Sequence, residues 1–294
     1  MTAKIIDGLA IARKVRVGIA ERTRALKAGG VLPALTMIVV GQNPASAVYV
    51  RNKVRACSEV GIKSEVVRFP ADVGEEELLD CIRRLNESPS VHGILVQLPL
   101  PAHIAPRHVL ETISVAKDVD GFHLYNVGGL VIGETVFPPC TPYGVQKILE
   151  HEGIELEGKN VTVVGASNIV GKPLALMLMQ REATVAICHA KTRDLAQYTI
   201  LGDILVVAAG RPNLIVAPMV RTGAVVIDVG INFLPGGRLV GDVDFEGVKE
   251  KASFITPVPG GVGPMTVTML LENTVAAAER ATGVRRVPAE AGFA

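Results

Sequence analysis

Strand-like and helix-like segments alternate along almost the whole chain, and this alternation constrains the fold more than any other feature. Short apolar runs rich in β-branched residues predict buried parallel strands, most clearly at 34–41 (ALTMIVVG), 160–165 (NVTVVG) and 203–210 (DILVVAAG). Such alternation is typical of α/β folds, in which helices cover both faces of a parallel sheet. Ligands of these folds bind beyond the carboxyl ends of the strands, so the residues that follow each strand are the first site candidates.

Further elements complete this pattern. We expect strands at 64–69, 91–101, 183–189, 224–233 and 253–258, and a hairpin turn around 235–237. We expect helices at 7–28, 44–59, 75–88, 106–114, 143–153, 172–182, 194–199 and 266–281. The rhythm breaks between residues 117 and 142, where we place a domain boundary. A chain of 294 residues, at ~100–200 residues per domain, is then expected to form two domains.

The charge and composition of the chain exclude several classes of protein. Lys and Arg total 30 against 29 Asp and Glu, and aromatic residues are only 4%, so neither a basic surface nor stacking platforms for nucleic acid are expected. The apolar runs are far shorter than the ~20 residues of a membrane-spanning helix, and no signal-peptide pattern is found. Four cysteines without a C-x-x-C pair predict reduced thiols and no metal site. We therefore expect a soluble, cytoplasmic protein that binds neither nucleic acid nor membranes.

A turn rich in small residues, 165–173 (GASNIVGKP), follows a predicted strand and opens a helix. Small residues let backbone N–H groups approach a pyrophosphate, and a helix N-terminus adds positive potential. The turn is not a strict G-x-G-x-x-G because Ser167 replaces the middle glycine, and Pro173 after Lys172 excludes a P-loop. An ordinary tight turn is the alternative, but the turn opens a βαβαβ run of the kind that binds a mononucleotide.

The second strand of that run ends at residues 189–192 (HAKT), where NAD-dependent enzymes usually have an acid for the ribose 2′-hydroxyl. No Asp or Glu stands there, while Lys191 and Arg193 are close. The missing acid leaves room for the 2′-phosphate of NADP, and the two cations favour it.

Polar residues in the first half could converge at the carboxyl ends of its strands. Tyr49 and Lys53 are four residues apart on one predicted helix and share a face, Gln97 lies in the strand 91–101, and Asp120 follows in the D-V-D-G turn. Each also has a structural interpretation: a solvated helix face for the Tyr/Lys pair, a backbone hydrogen bond for the amide, and turn formation for the carboxylate. His123 and Asn126 are further turn candidates, and we interpret His92, His103, His108 and His151 as structural.

Eight stretches resemble the bifunctional methylenetetrahydrofolate dehydrogenase/methenyltetrahydrofolate cyclohydrolase family and follow one another in the family's order. They are VGQNPASAVYVRNK (40–53), GILVQLPLP (93–101), KDVDGFH (117–123), PCTPYG (139–144), VVGASNIVGKP (163–173), VIDVGIN (226–232), GDVDF (241–245) and ITPVPGGVGPMTVTML (255–270). Because they spread over nearly the whole chain, the resemblance covers both predicted domains.

The resemblance implies a two-domain α/β fold with a cleft between the domains. The implied domains are a βαβ-type folate-binding catalytic domain at 1–138, a Rossmann-like NADP-binding domain at 139–265, and a C-terminal helix at 266–294 that packs back on the first domain. Family members oxidise 5,10-methylenetetrahydrofolate to the methenyl cation with NADP, or less often NAD, and hydrolyse that cation to 10-formyltetrahydrofolate. They are usually dimeric, so a homodimer is expected.

The resemblance also assigns roles to residues. Lys53 is the implied catalytic lysine of hydrolysis with Gln97 bonded near it, Tyr49 stacks on the folate, and Asp120 holds the pterin ring. The other implied folate contacts are Val96, Leu98, Pro259, Gly260, Gly261 and Gly263. The implied dinucleotide contacts are Gly165, Ala166, Ser167, Ala190, Lys191 and Ile231.

Two departures from the family pattern bear on the cofactor. Several members carry Arg at the position of Ala166, and Ser or Arg at the position of Ala190, where they help to hold the 2′-phosphate. We therefore expect NADP by a modest margin, with NAD also possible. Two rival functions are a monofunctional dehydrogenase, which would lack Lys53, and a nucleotide-sensing protein, which would lack Lys53 or Asp120; both residues are present.

Overall fold

The structure is a computed structural model that describes residues 2–283 and contains two compact units. Unit 1 contains Met1–Arg13 and Thr141–Thr266, and unit 2 contains Lys14–Cys140 and Val267–Ala294. Both units are α/β with parallel sheets, as the alternation of segments predicts. The domain limits inferred from the sequence stay a prediction.

Residues 2–283 form eleven strands and ten helices. The strands are β1 (Lys4–Ile5), β2 (Ala34–Val40), β3 (Lys63–Phe69), β4 (Gly93–Val96), β5 (Asn160–Val164), β6 (Thr184–Cys188), β7 (Ile204–Val207), β8 (Val225–Asp228), β9 (Asn232–Phe233), β10 (Leu239–Val240) and β11 (Phe254–Ile255). The helices are α1 (Gly8–Ala28), α2 (Pro44–Val60), α3 (Glu75–Glu87), α4 (Pro106–Thr112), α5 (Leu124–Ile132), α6 (Cys140–His151), α7 (Gly171–Met179), α8 (Leu195–Thr199), α9 (Phe245–Lys249) and α10 (Val262–Ala281).

Unit 1 is built on a six-stranded parallel sheet in the order β1-β11-β8-β7-β5-β6. Residues of β1 belong to this unit because they pair with β11, with Lys4 opposite Phe254. Val207 and Val226 of the central strands pack with Ile255 in its hydrophobic core. The hairpin expected around 235–237 is formed by the antiparallel pair β9 and β10.

Unit 2 is built on a three-stranded parallel sheet in the order β3-β2-β4. Every residue of β2 is buried, which explains why its sequence is an unbroken apolar run. Ile38 of this strand packs with Leu78 and Ile82 of α3 in the core of the unit. Because all three strands run in the same direction, the turns that follow β2 and β4 lie at one edge of this sheet.

Two helices begin earlier than predicted, at Cys140 rather than 143 and at Val262 rather than 266. In each helix a proline, Pro142 or Pro264, led to the prediction of a later first residue. The proline instead lies in the first turn, where it is tolerated because backbone N–H groups there have no partner within the helix.

Three other predictions are wrong in detail. The strand expected at 224–233 is divided into β8 and β9, because the Asp228 carboxylate accepts the N–H of Gly230 (2.9 Å) and the chain turns there. The segment after residue 117, expected to be irregular, contains α5. His123 caps this helix by accepting the N–H of Tyr125, and Gly133, with φ of 80°, ends it. The strand expected at 91–101 is regular only over β4.

Candidate active site

The helix α2 carries Tyr49 and Lys53 on one face, directly after the carboxyl end of β2. Its start follows from the sequence: the side chain of Asn43 accepts the N–H of Ser46 at 3.2 Å, and Pro44 is the first helical residue. Tyr49 and Lys53 are both half-buried. Their four-residue spacing therefore forms the common face that the sequence predicts.

Lys53 is hydrogen-bonded to the amide at the end of the neighbouring strand. Gln97 follows β4, and its N–H extends the sheet by donating to the Ile38 carbonyl at 2.9 Å. Nζ of Lys53 donates to Oε1 of Gln97 at 3.1 Å, while Nε2 of Gln97 donates to the Leu98 carbonyl at 2.7 Å. The second bond fixes the orientation of the amide, so that only its oxygen faces the amine.

Two acidic groups near Lys53 are kept neutral by their surroundings. Burial raises the pKa of the Tyr49 phenol above its usual value. Burial also raises the pKa of the Cys57 thiol to about 12, although the charges of Arg16 and Lys53 oppose the change. Both groups consequently remain protonated near neutral pH, and neither competes with a ligand for the charge of Lys53.

The segment that holds Asp120 is fixed by another carboxylate, Asp118. This buried side chain accepts the N–H of His123 at 2.8 Å and Nδ2 of Asn126 at 2.7 Å, and Gly121 also donates to it. Gly121 has a φ of 78°, and a Cβ there would collide with Pro139. The carboxylate that forms the turn is therefore Asp118, while His123 caps α5 and Asn126 lies within it, so the turn predicted for these two residues is wrong; the side chain of Asp120 accepts none of these backbone N–H groups.

Burial raises the pKa of the Asp120 carboxyl; the charge of Lys53 opposes this change and that of Asp118 adds to it. Among the described residues, the Cys140 thiol is the hydrogen-bond partner of this carboxyl. Asn273 donates to the carbonyl of Val119 at 2.9 Å and so holds the backbone beside it. The carboxyl oxygens of Asp120 keep lone pairs that a ligand can use.

Asp118, Asn126 and Cys140 were not recognised from the sequence as the support of this site. Asn126 is fully buried, and its Oδ1 accepts the N–H groups of Val136 (3.2 Å) and Phe137 (3.1 Å). A buried side-chain amide such as that of Asn126, which links two chain segments by hydrogen bonds, produces no periodic pattern in the sequence. Asp118 and Cys140 lie in stretches of the resemblance, which gives them no role, and Asn126 lies outside all of those stretches.

In unit 1, the small-residue turn after β5 has the geometry of a phosphate-binding loop. Gly165 has a φ of 121°, and a Cβ there would collide with the Ala208 carbonyl; a Cβ on Gly171 would collide with the carbonyl of Gly165. Oγ of Ser167 accepts the N–H groups of Val170 (3.1 Å) and Gly171 (3.4 Å) at the start of α7. Ser167, Asn168 and Ile169 are exposed, so the loop fits the pyrophosphate of a dinucleotide.

The turn after β6 presents two cations to solvent. The N–H of Lys191 donates to Nδ1 of His189 at 3.2 Å, and the N–H of His189 donates to Oγ1 of Thr192 at 2.8 Å, so the turn is well defined. Lys191 and Arg193 are exposed, and within residues 2–283 neither forms an ion pair. Ala190 is exposed beside them. The positive charges of Lys191 and Arg193 are complementary to the negative charge of a 2′-phosphate.

One further predicted dinucleotide contact of unit 1, Ile231, lies in an exposed turn. Ile231 is 41% exposed and follows β8. Its turn is fixed by Asp228, which accepts the N–H groups of Gly230, Asp242 and Val243. Burial raises the pKa of the Asp228 carboxyl to about 6; these backbone bonds oppose the change and the charge of Asp242 adds to it.

The predicted folate loop 259–263 also belongs to unit 1. The N–H of Gly261 donates to the Pro257 carbonyl at 2.9 Å, and a Cβ on Gly261 would collide with that carbonyl. Gly263, by contrast, lies in the first turn of α10, is exposed, and has no protein atom within 4 Å of where its Cβ would be. The protein alone does not require a glycine there, whereas a ligand packed against the backbone would.

The predicted site residues thus fall into two sets. Unit 2 holds Tyr49, Lys53, Val96, Gln97, Leu98 and Asp120, while unit 1 holds Pro259, Gly260, Gly261, Gly263 and all six predicted dinucleotide contacts. Val96 is buried in the sheet, so only its backbone is available to a ligand. Within residues 2–283 no group of His, Cys, Asp and Glu side chains could hold a metal ion, and none of the helices there is long and apolar enough to cross a membrane.

A phosphate-binding loop on a six-stranded parallel sheet, together with a Lys–Gln–Asp group on a second sheet, defines a nucleotide-dependent enzyme of the α/β class. The family model described as "Tetrahydrofolate dehydrogenase/cyclohydrolase, catalytic domain" matches residues 6–120, and that described as "Tetrahydrofolate dehydrogenase/cyclohydrolase, NAD(P)-binding domain" matches residues 139–282. The chain belongs to the tetrahydrofolate dehydrogenase/cyclohydrolase family, which confirms the resemblance seen in the sequence.

Individual relatives agree with this assignment. "Bifunctional protein FolD" of Nitrosospira multiformis is 59% identical over 281 residues, which are 96% of this chain and 98% of the relative. The structure of a bifunctional FolD from Campylobacter jejuni superposes with a TM-score of 0.93 at 53% identity and covers 95% of this chain and 99% of that one. The FolD of Trypanosoma brucei, solved with NADP and an inhibitor, has a TM-score of 0.92 at 40% identity and covers 97% and 100%.

Proposed function

We propose that this chain oxidises 5,10-methylenetetrahydrofolate to 5,10-methenyltetrahydrofolate with NADP and then hydrolyses the methenyl compound to 10-formyltetrahydrofolate. The observation that carries the proposal is the hydrogen bond from Lys53 to Gln97 at the carboxyl ends of the unit 2 strands, with the carboxyl of Asp120 near enough for its pKa to respond to Lys53. The FolD of Campylobacter jejuni, which is matched over 99% of its length, is a bifunctional methylenetetrahydrofolate dehydrogenase/cyclohydrolase.

For the oxidation, the chain's contribution is binding and orientation. The product cation is stabilised by two nitrogen atoms, so the reaction needs geometry more than acid–base assistance. Asp120 would accept the paired N–H groups of the pterin edge, and the half-buried ring of Tyr49 would stack on the folate. When bound, NADP accepts the hydride that leaves the methylene carbon. The loop 165–171 would hold its pyrophosphate and Lys191 its 2′-phosphate.

For the hydrolysis, a proton must move. Water adds to the methenyl carbon and releases one proton, and the remaining hydroxyl proton of the adduct moves to N5 as the bond from that carbon to N5 breaks, which leaves the formyl group on N10. Lys53 is the group proposed to move the proton, because it lies at the strand ends and its amine is oriented by Gln97.

A paired assay with the full chain tests the proposal. We expect NADPH to form when methylenetetrahydrofolate and NADP are mixed with the protein, and added methenyltetrahydrofolate to lose its chromophore faster than in buffer. A monofunctional dehydrogenase would form NADPH and let the methenyl chromophore accumulate. A nucleotide-sensing protein would bind NADP and turn over neither substrate. The same assay with NAD measures the cofactor preference.

A homodimer and a cytoplasmic location complete the proposal. β6 is an edge strand, and the apolar residues Ile187, Tyr198 and Leu201, the last 67% exposed, lie on or near it. A second copy of the chain would cover them, so sedimentation should give about twice the 31.0 kDa of one chain. Four free, buried cysteines are consistent with a reducing compartment.

A further inference from the structure

A second cavity lies in unit 2 at the edge of the sheet opposite to Gln97. It has a volume of about 600 Å³ and is lined by residues at the amino ends of the three strands, among them Leu32, Lys63 and His92. Residues of the 116–117 segment and the end of α10, including Lys117 and Arg280, complete its wall. Lys63 is the first residue of β3 and Gln97 follows the last residue of β4, so this cavity is separate from the proposed folate site.

Three of the polar side chains that line this cavity are cationic. Lys63, Lys117 and Arg280 line it, and no Asp or Glu does. Across the part of the chain that the structure describes, none of these three cations takes part in an ion pair. Nζ of Lys117 is held by the carbonyls of Leu85 (3.0 Å) and Ser88 (2.7 Å). Positive charges grouped without a counter-charge disfavour the empty state and favour an anion.

Lys117 is partly buried, and the exposed Arg280 packs against an aromatic ring. The guanidinium of Arg280 lies 4.9 Å from the centre of the Phe137 ring. Burial lowers the pKa of both Lys117 and Arg280, in agreement with positive charges that lack a carboxylate partner.

A buried hydrogen-bond donor reaches the same cavity. His92 is only 8% exposed, and its Nδ1 accepts the N–H of Ala34 at 3.2 Å. The proton of the neutral ring is therefore on Nε2. Burial, together with the charge of Lys117, lowers the pKa of His92, so the ring is neutral and Nε2–H remains a donor.

Most of the remaining side chains in the wall are apolar, so they would contact an apolar part of the ligand. Val31, Leu32, Val91, Val136 and Ala277 line the cavity. A volume of about 600 Å³ is within the range of ~300–1,000 Å³ of small-molecule sites and far exceeds that of an inorganic ion. We propose that this cavity binds a small organic anion, with its oxygen head group on Lys63, Arg280 and Nε2–H of His92 and its apolar body against Val31 and Val91.

Titration calorimetry with the full chain tests this site. Phenyl phosphate and benzoate are the two anionic probes, and they distinguish a phosphate from a carboxylate head group. Benzyl alcohol, which lacks the charge, and inorganic phosphate, which lacks the apolar body, are the controls. We expect saturable binding of one equivalent of at least one anionic probe, also in the presence of saturating NADP. Benzyl alcohol and inorganic phosphate are expected to bind at least about tenfold more weakly.

The double variant Lys63→Gln/Arg280→Gln should weaken binding of that probe about tenfold or more. Lys14→Gln/Arg24→Gln is the matched control, because it removes the same charge from exposed positions of α1 and should leave binding unchanged. Both variants change exposed side chains, and circular dichroism verifies their folding. The proposal is overturned if neither anionic probe saturates, if NADP displaces the probe, or if the two double variants bind alike.

Discussion

Nζ of Lys53 and Oε1 of Gln97 are 3.1 Å apart, and the second bond of this amide, to the Leu98 carbonyl, prevents it from turning its NH₂ group toward the amine. An unrestrained glutamine could present either a donor or an acceptor to Lys53. The arrangement instead keeps an acceptor in front of the amine of Lys53. This fixed position supports the proton-transfer role that we propose for Lys53.

Asp120→Ala should weaken folate binding much more than cofactor binding. The carboxyl would otherwise accept charge-assisted bonds from the pterin, worth about 1.5–3 kcal/mol each, so a loss of about tenfold to a hundredfold in affinity is expected. Calorimetry with folate and with NADP measures the two effects separately. Asp72→Ala, which removes an exposed acid of the same unit, is the control. Equal losses for folate and NADP would contradict the assignment of Asp120.

Gly263→Ala should raise the KM for the folate substrate without lowering the thermal stability of the protein. The methyl group would occupy open space in the protein, and alanine is the better helix former by about 0.5–1 kcal/mol. Gly18→Ala is a matched control, since Gly18 is also an exposed helical glycine with open space around it. An unchanged KM in Gly263→Ala would remove this residue from the folate site. A lower melting temperature would indicate a structural role.

Cofactor preference should depend on salt. Ala166 and Ala190 cannot hold a phosphate by their side chains, which leaves the exposed Lys191 and Arg193. Ions screen such a contact, so the ratio of kcat/KM for NADP over NAD should exceed one at low salt and fall as salt is added. Lys191→Ala should lower the ratio at low salt, and Lys159→Ala, at another exposed lysine of unit 1, should not. A preference for NAD at every salt concentration would contradict this account.

The stability of the chain should decrease as Asp228 ionises. Its carboxyl has a pKa of about 6 in the folded protein and 3.8 as its ordinary value, so the folded state binds the proton more tightly than the unfolded state. This stabilisation is complete below the ordinary pKa and is lost as the pH rises through about 6, by at most about 3 kcal/mol.

Urea unfolding of the wild type and of Asp228→Asn at about pH 5 and about pH 7.5 measures this effect. The asparagine does not titrate, so the free energy of unfolding of the wild type relative to the variant should fall between the lower and the higher pH. A constant difference would show that Asp228 does not titrate in this range.

The sequence predicted the sheets of both units well, because their strands are buried apolar runs such as 34–41 and 203–210. It predicted the end of a strand less well at Asp228, where a side chain rather than a neighbouring strand accepts a backbone N–H group. It also predicted the first residue of a helix less well where a proline occupies the first turn. α5 was missed because its cap, His123, and its interior glycines are typical of a turn.

The candidate site was predictable in part. The spacing of Tyr49 and Lys53 indicated a shared helix face, but only the resemblance assigned chemistry to it. The orientation of Gln97 depends on a bond to the carbonyl of Leu98, and the accessibility of Asp120 depends on Asp118 taking the local backbone donors. Such contacts follow from three-dimensional packing and carry no periodic signal in a single sequence.

The central claim, that Lys53 moves the proton in hydrolysis, is tested most directly by the rate at which Lys53→Met hydrolyses methenyltetrahydrofolate. Positioned proton transfer contributes about 10²–10⁴-fold to a rate, so the cyclohydrolase activity should fall at least about a hundredfold, while NADP affinity and the melting temperature stay unchanged. Lys14→Met, at an exposed position of α1, should retain full activity. Undiminished hydrolysis by Lys53→Met would contradict the account.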